Sequence, residues 1–260
     1  MFSGNWILAR FLLLGLFSFF AGNSRSLLNS GHDVANLVLQ SRKCSVLFVI
    51  MEDRSGSTND FRKLSIDDYR FLAENFLKKF WGVVAVRAIG NPSPEERNFY
   101  RFKVPKPIPH EKAPKDATYT EKAKVIKRNE EIDEENEHRL AEARQRMEEW
   151  LKWVEKGIVH YQPNGKDITD IRDALIHLDR LISEPTFRKY DHVIVLLLSD
   201  GLHDADGKPV KGLFHPERKV MLNLIGWKNT DVFDSSGPYE LLQFESVDGF
   251  LDWWEEFECD

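Results

Sequence analysis

The sequence has few of the residues on which several common functions depend. Only two cysteines occur among 260 residues, and no cysteine and histidine cluster has the spacing of a zinc site. There is no glycine-rich loop of the kind that holds phosphate groups, and no internal repeat or low-complexity tract. The net charge of −6 gives no strongly basic field to attract nucleic acid. These absences disfavour a zinc enzyme, a phosphate-loop protein and a nucleic-acid-binding protein.

What is present suits one sizeable folded unit. The chain is 42% hydrophobic and 30% charged, which allows a single α/β domain that carries an insertion. We place this domain at residues 42–260 and the insertion at 105–161 within it.

The N-terminal segment, residues 1–24, has the pattern of an export signal. Arg10 precedes the apolar stretch 11–22, whose length suits a secretory signal rather than a membrane span of about 20 residues. The small residues Gly22 and Ser24 favour cleavage after Ser24. If residues 6–22 are counted as one stretch, it is long enough for an uncleaved membrane anchor, although Arg10 interrupts it. A cleaved signal is favoured, and under both alternatives the folded part is exported: secreted, periplasmic or on the cell surface.

Two apolar runs predict buried parallel strands, and polar residues follow each of them. Val46 to Met51 precedes Asp53-Arg54-Ser55-Gly56-Ser57, and the run from Val193 to Ser199 precedes Asp200-Gly201. Open α/β sheets place their ligand sites at the carboxyl ends of such strands. A third polar segment contains Thr169 and leads into a predicted helix. The carboxylate and hydroxyl oxygens of these segments suit Mg²⁺, Mn²⁺ or Ca²⁺.

This arrangement resembles the von Willebrand factor type A domain with its metal-ion-dependent adhesion site. The family pattern is Asp-x-Ser-x-Ser, a distant Thr, and an Asp-Gly after a hydrophobic strand. The resemblance implies an α/β, doubly wound, Rossmann-like fold with a mostly parallel central sheet flanked by helices. It also implies that Ser55 and Ser57 bind the ion directly, that Thr169 binds directly or through water, and that Asp53 and Asp200 act through water.

The resemblance further implies what the site does. Hydroxyl ligands leave the ion under-neutralised, so an open coordination position attracts a Glu or Asp of a protein partner. The pattern lacks a positioned base and nucleophile, so we expect a binding module and no enzyme. The alternative is a structural scaffold that is recognised through its insertion, with an unused metal site whose residues only cap loops and helices.

A remote alternative is a metal-dependent phosphohydrolase of the haloacid-dehalogenase type. That family needs a second Asp two residues after its nucleophile, and Ser55 stands at that position.

The two cysteines lie close to the ends of the predicted domain. Cys44 precedes the first strand and Cys259 is the penultimate residue. Some extracellular members of the resembled family link their domain ends by a disulfide, and export would permit one here. Two free buried thiols are the alternative.

The insertion departs from the family pattern. Four prolines between 105 and 114 rule out regular structure there. Residues 119–156 contain neither proline nor glycine. We predict one helix of about 55 Å, or two that meet near residues 133–136. The structural interpretation is a solvent-exposed helical hairpin with one apolar face on the domain, and the functional one is a partner-binding or self-association arm.

The remaining elements follow from periodicity. We predict helices that begin near Ser65, Asp170 and Ser246, and strands at 83–89, 99–104, 220–226 and 239–244. Ser65 with Asp68 fits the cap and acidic first turn of the first of these helices. Asp170, His203 and Asp204 are expected only to line the rim of the site.

Overall fold

A computed structural model describes residues 44–55, 61–90, 99–161, 169–202, 214–228, 233 and 237–259. These residues belong to one compact unit, Arg42–Asp260. The predicted export segment lies outside the described residues. Within the described ranges, no helix combines the length and the apolar character that crossing a bilayer requires.

The domain is an α/β structure around a six-stranded sheet. The strands are β1 (Ser45–Asp53), β2 (Trp81–Ile89), β3 (Tyr100–Val104), β4 (His192–Leu198), β5 (Val220–Ile225) and β6 (Tyr239–Phe244). They lie in the order β3-β2-β1-β4-β5-β6, and all pairs are parallel except the antiparallel pair of β2 with β3. The sequence therefore predicted all six strands to within a few residues.

Four α-helices occur in the described part of the chain. They are α1 (Ile66–Lys79), α2 (Tyr119–Val154), α3 (Ile171–Ser183) and α4 (Val247–Glu256). Helix α1 begins with the predicted cap, because the Ser65 hydroxyl and the Asp68 carboxylate each bond the other's backbone N–H. Thr118 and Glu121 form the same capping box at the start of α2.

The sheet is buried on both faces. Alternate residues of β1 point to opposite sides, so Val46, Phe48 and Ile50 join one apolar cluster and Leu47, Val49 and Met51 join the other. The first cluster includes side chains from α1, α4 and the C-terminal half of α2, and the second includes the apolar face of α3. Burial on both faces explains why β1 and β4 are continuous apolar runs.

Two contacts hold the amino end of β1, one to Cys259 beyond α4 and the other to Asp191 just before β4. Cys44 and Cys259 form a disulfide with a Cα–Cα distance of 6.3 Å, which is compatible with the pairing that the family resemblance implies. The Asp191 carboxylate accepts hydrogen bonds from the backbone N–H of Ser45, at 3.1 Å, and from its hydroxyl, at 2.7 Å. These contacts lie at the edge of the sheet opposite to the carboxyl end of β1.

The insertion is not the predicted helical hairpin. Helix α2 is a single helix of 36 residues, followed by a π-helical turn at Glu155–Val159. The second layer is the proline-containing segment 105–117, which has no helix or strand and lies along the first half of α2. The hairpin prediction is wrong because the helix continues without a break through residues 133–136, where the sequence has no proline or glycine to end it. The alternative prediction, one long helix, is confirmed.

Candidate metal centre

The sheet brings the first two polar segments together at one edge. Strands β1 and β4 are parallel neighbours in which Glu52 is paired with Leu198. The next residues, Asp53 and Ser199, therefore leave the sheet side by side, with Asp200 one residue further on. The strand order changes direction between β1 and β4, which is where open α/β sheets form a crevice for ligands.

Asp53 is held in place through both of its carboxylate oxygens. Its Oδ1 accepts the backbone N–H of Ser55 at 2.9 Å, and its Oδ2 accepts the Ser199 hydroxyl at 2.9 Å. The Ser199 oxygen in turn accepts the backbone N–H of Gly201 at 3.1 Å. Ser199 is a residue of the site that the sequence analysis missed, although its position between a strand and Asp200 was a usable signal.

Thr169 reaches this cluster from a different part of the chain. Its hydroxyl donates to the hydroxyl oxygen of Ser55 at 2.8 Å, and both side chains are buried. The contact places Thr169 beside the loop that follows β1, as a shared site requires. The Lys63 ammonium also donates to the backbone carbonyl of Ser55, at 3.1 Å, which helps to hold that loop.

Asp200 has one oxygen bonded and one without a partner. Oδ1 accepts the backbone N–H of Leu202 at 3.0 Å, whereas Oδ2 is buried and has no hydrogen-bond partner in the described part of the chain. The chain can turn sharply here because Gly201 has a φ of +75°, and a Cβ at that position would lie 2.6 Å from the ring of Trp227. A buried carboxylate oxygen without a donor is costly unless a cation or a water compensates it.

The pKa of Asp53 also indicates that the cluster would favour a cation. Burial raises the pKa of the Asp53 carboxyl, and the negative charge of Asp200 raises it further, against the hydrogen bonds from Ser55 and Ser199. Asp53 is fully buried and Asp200 is 2% exposed. A buried Asp53 carboxylate whose ionised form is disfavoured by burial and by a nearby carboxylate is a favourable environment for a divalent cation.

The residues before and after Asp53, Glu52 and Arg54, form a buried ion pair that holds the end of β1 in place. The Glu52 carboxylate accepts from Arg54, at 2.7 Å, from the hydroxyl of Tyr69, at 2.7 Å, and from the backbone N–H of Leu64, at 2.8 Å. Burial raises the pKa of Glu52, and Arg54 opposes this shift. Glu52 therefore fixes the first turn of α1 against the strand that carries Asp53.

The start of α3 is fixed from β2. The Arg87 guanidinium, which is 1% exposed, pairs with Asp173 at 2.5 Å in the first turn of α3. The carboxylate of Asp170 caps the same helix by accepting the backbone N–H of Asp173 at 2.8 Å. Asp170 thus anchors the helix that follows Thr169 and is more than a rim residue.

The structure does not describe three of the residues that the sequence analysis considered for this site. Ser57, His203 and Asp204 lie outside the described residues. The four remaining predicted ligands lie at the same edge of the sheet. Asp53, Ser55 and Thr169 are joined by hydrogen bonds, and Asp200 follows Ser199, which bonds Asp53.

A second group of metal-ligand side chains lies at the opposite edge. The ligand atoms of Cys44, His192 and Cys259 lie within 4.8 Å of one another. Because the two sulfurs are bonded to each other, neither is available as the thiolate that binds metal. The oxygen cluster is therefore the better candidate for a metal centre.

The chain matches no protein-family model, and no curated protein matches it.

Proposed function

We propose that this chain is an exported protein-binding module, of the von Willebrand factor type A kind, that holds a divalent cation and captures an acidic group of a partner through it. In this proposal the six-stranded sheet is doubly wound in the Rossmann-like sense. The observation that carries the proposal is that Asp53, Ser55 and Thr169 are hydrogen-bonded together at the sheet edge where Asp200 follows β4. One carboxylate oxygen of Asp200 is buried there without a hydrogen-bond partner within the described residues.

The donor set fits a hard cation. Carboxylate and hydroxyl oxygens are the ligands of Mg²⁺, Mn²⁺ and Ca²⁺, and no thiolate or imidazole is among them. Ser55, Ser57 and Thr169 would supply neutral oxygens, and Asp53 and Asp200 would supply charge. When bound, the ion would offer a positive charge that its neutral ligands do not cancel, and a Glu or Asp of the partner would complete its coordination.

The immediate test is calorimetric titration of the full chain with Mg²⁺ and Mn²⁺. We expect one site in the wild type and none in Asp53→Ala, because the substitution removes one of the two buried carboxylates. Asp252→Ala, an exposed change on α4, is the matched control and should titrate as the wild type does. Equal heats for the wild type and Asp53→Ala would refute the metal site.

Partner binding needs a separate test. Proteins of the compartment to which the chain is exported would be captured on the immobilised chain, with and without a chelator. We expect capture to be lost on chelation and in Ser55→Ala, and to return when Mg²⁺ is restored.

A second candidate function is a scaffold that is recognised through its insertion. The observation in its favour is the ordered packing of segment 105–117 against α2, which makes a built surface away from the metal centre. Under this alternative, partner capture would survive chelation and Ser55→Ala and would be lost only when the insertion is shortened.

A further inference from the structure

The insertion forms a two-layered arm, which we define as residues 105–139. The side-chain amides of Asn129 and Asn136 lie seven residues apart on α2 and hold the extended segment by its backbone. Asn136 accepts from the N–H of Ile108 at 2.8 Å and donates to its carbonyl at 2.9 Å. Asn129 makes the same two bonds with Glu111, at 2.8 and 3.1 Å. One face of this part of α2 is therefore covered.

The opposite face of the same helix carries four exposed charges. Lys124, Lys127, Glu131 and Glu134 follow one another at spacings of three, four and three residues, which puts them in one row along the helix. Lys124, Lys127 and Glu134 make no ion pair within the described ranges, and Glu131 pairs only with Arg128, at 3.0 Å. We call this row the charged face.

Charge of opposite sign is separated along the arm. Residues 112–128 contain six Lys or Arg and two Asp or Glu, a net charge of +4. Residues 130–137 contain six Asp or Glu and no Lys or Arg, a net charge of −6. The change of sign occurs at Asn129, which is also the midpoint in sequence of the four residues of the charged face, although its own side chain lies on the covered face.

We propose that two copies of this chain associate through their charged faces, with the two α2 helices antiparallel and the twofold axis near Asn129. Lys124 then lies opposite Glu134 of the partner subunit, and Lys127 lies opposite Glu131 of the partner subunit. Each contact occurs twice, as a twofold interface requires. A parallel pair would instead place lysine against lysine.

The symmetry of the charges favours a second copy over a different partner. A purely acidic partner would match the basic segment 112–128 and would be repelled by residues 130–137, and a purely basic partner would have the reverse problem. The antiparallel copy matches both segments at once. Ile126 and Tyr119, which are 61% and 88% exposed, lie on the side of α2 between the asparagine face and the charged face and are not part of the proposed contact.

The exposed ion pairs determine how strong the association is and how it responds to salt. Its contacts are exposed ion pairs, each of which contributes little and is screened by salt. The dimer is therefore weak and salt-sensitive. The proposal is independent of the metal centre, which lies at the carboxyl ends of β1 and β4.

Sedimentation velocity of the full chain over a range of concentrations tests the proposal, with a charge swap as the decisive step. One variant is Lys124→Glu with Lys127→Glu, and the other is Glu131→Lys with Glu134→Lys. Each variant alone places like charges in contact, so we expect its dimer affinity to fall by about tenfold or more. An equal mixture of the two should recover a heterodimer, because every contact is again between opposite charges.

Three further measurements complete the design. Raising the salt concentration to about 0.5 M should dissociate the wild-type dimer. Glu255→Lys with Glu256→Lys, two exposed changes on α4, is the control and should leave the dimer intact. Circular dichroism of each variant shows that α2 remains helical.

Several outcomes would overturn the proposal. They are a wild-type chain that is monomeric up to about 1 mM, a dimer that neither salt nor the reversals weaken, and a mixture of the two variants that stays monomeric while both are folded.

Discussion

The hydroxyl of Thr169 donates a hydrogen bond to the hydroxyl oxygen of Ser55, 2.8 Å away and 114 residues earlier in the chain. The bond joins the loop after β1 to the segment that leads into α3. Through Ser55 it also reaches Asp53, whose carboxylate accepts the Ser55 backbone N–H. The cluster is therefore one connected network assembled from three distant segments.

A first prediction concerns this bond. Thr169→Val keeps the shape of the side chain and removes the hydroxyl, so the buried Ser55 oxygen loses its donor and the proposed metal site loses one of its ligands. We expect the affinity for Mn²⁺ to fall by about tenfold or more, and the free energy of unfolding to fall by about 1–2 kcal/mol. Titration calorimetry and thermal unfolding measure the two effects. Thr169→Ser, which retains the hydroxyl, should stay close to the wild type, and unchanged Mn²⁺ binding in Thr169→Val would show that Thr169 is no ligand.

A second prediction separates the arm from the metal centre. Because Ile108 and Asn136 are hydrogen-bonded to each other, a short glycine and serine linker can join them in place of residues 109–135. The residues that pack α2 on the domain, including Met147 and Trp150, remain in this variant. We expect unchanged Mg²⁺ affinity and a loss of stability of no more than about 1 kcal/mol.

Deleting residues 119–156 entirely is the comparison for that variant. It removes buried apolar side chains, Met147, Trp150 and Val154 among them, and should cost a few kcal/mol while a folded product still binds the cation. A folded arm variant that had lost cation binding would show that the site is not built on the sheet alone.

A third prediction concerns the disulfide between Cys44 and Cys259. The bond closes a loop with a sequence separation of 215, so reduction should lower the free energy of unfolding by about 5 kcal/mol in the chain-entropy account. Mg²⁺ affinity should persist, because the nine residues of β1 hold Asp53 about 30 Å from Cys44. Non-reducing peptide mapping and melting curves provide the measurements. Two alkylatable thiols in protein prepared without reductant would contradict the pairing.

A fourth prediction is a pH dependence of stability. Hydrogen bonds from the side chain and the backbone of Ser45 hold the pKa of Asp191 below its ordinary value. A carboxyl with a lower pKa in the folded state stabilises the fold above its unfolded pKa of about 4, and the contribution disappears as the pH falls through the folded pKa.

Asp191→Asn should therefore lower the free energy of unfolding by about 1 kcal/mol at pH 7, a small value because the group is exposed to solvent. The difference from the wild type should shrink below about pH 4. Urea unfolding at several pH values measures it. If the free energies of unfolding of Asp191→Asn and the wild type differed by the same amount from neutral to acidic pH, the loss of stability would come from the shape of the side chain and not from its charge.

Much of the fold follows from local patterns. The apolar runs of β1 and β4 are continuous because both faces of these strands are buried, and burial of that kind is visible in the sequence. Ser65 and Asp68 form the predicted cap of α1 because capping involves residues only three positions apart. The polar residues at the carboxyl ends of β1 and β4 were predictable as neighbours for a similar reason, since parallel strands end at the same edge.

What the sequence could not determine depends on contacts between distant residues. The bond from Ser199 to Asp53, the burial of Glu52 with Tyr69, and the pairing of Arg87 with Asp173 each need the finished sheet and its helices. In the insertion, the prolines and the long helical pattern determined an extended segment and a helix. Only the tertiary structure decided that the two lie together, because the bonds of Asn129 and Asn136 to the backbone 18 and 28 residues away form after the chain has turned back on itself.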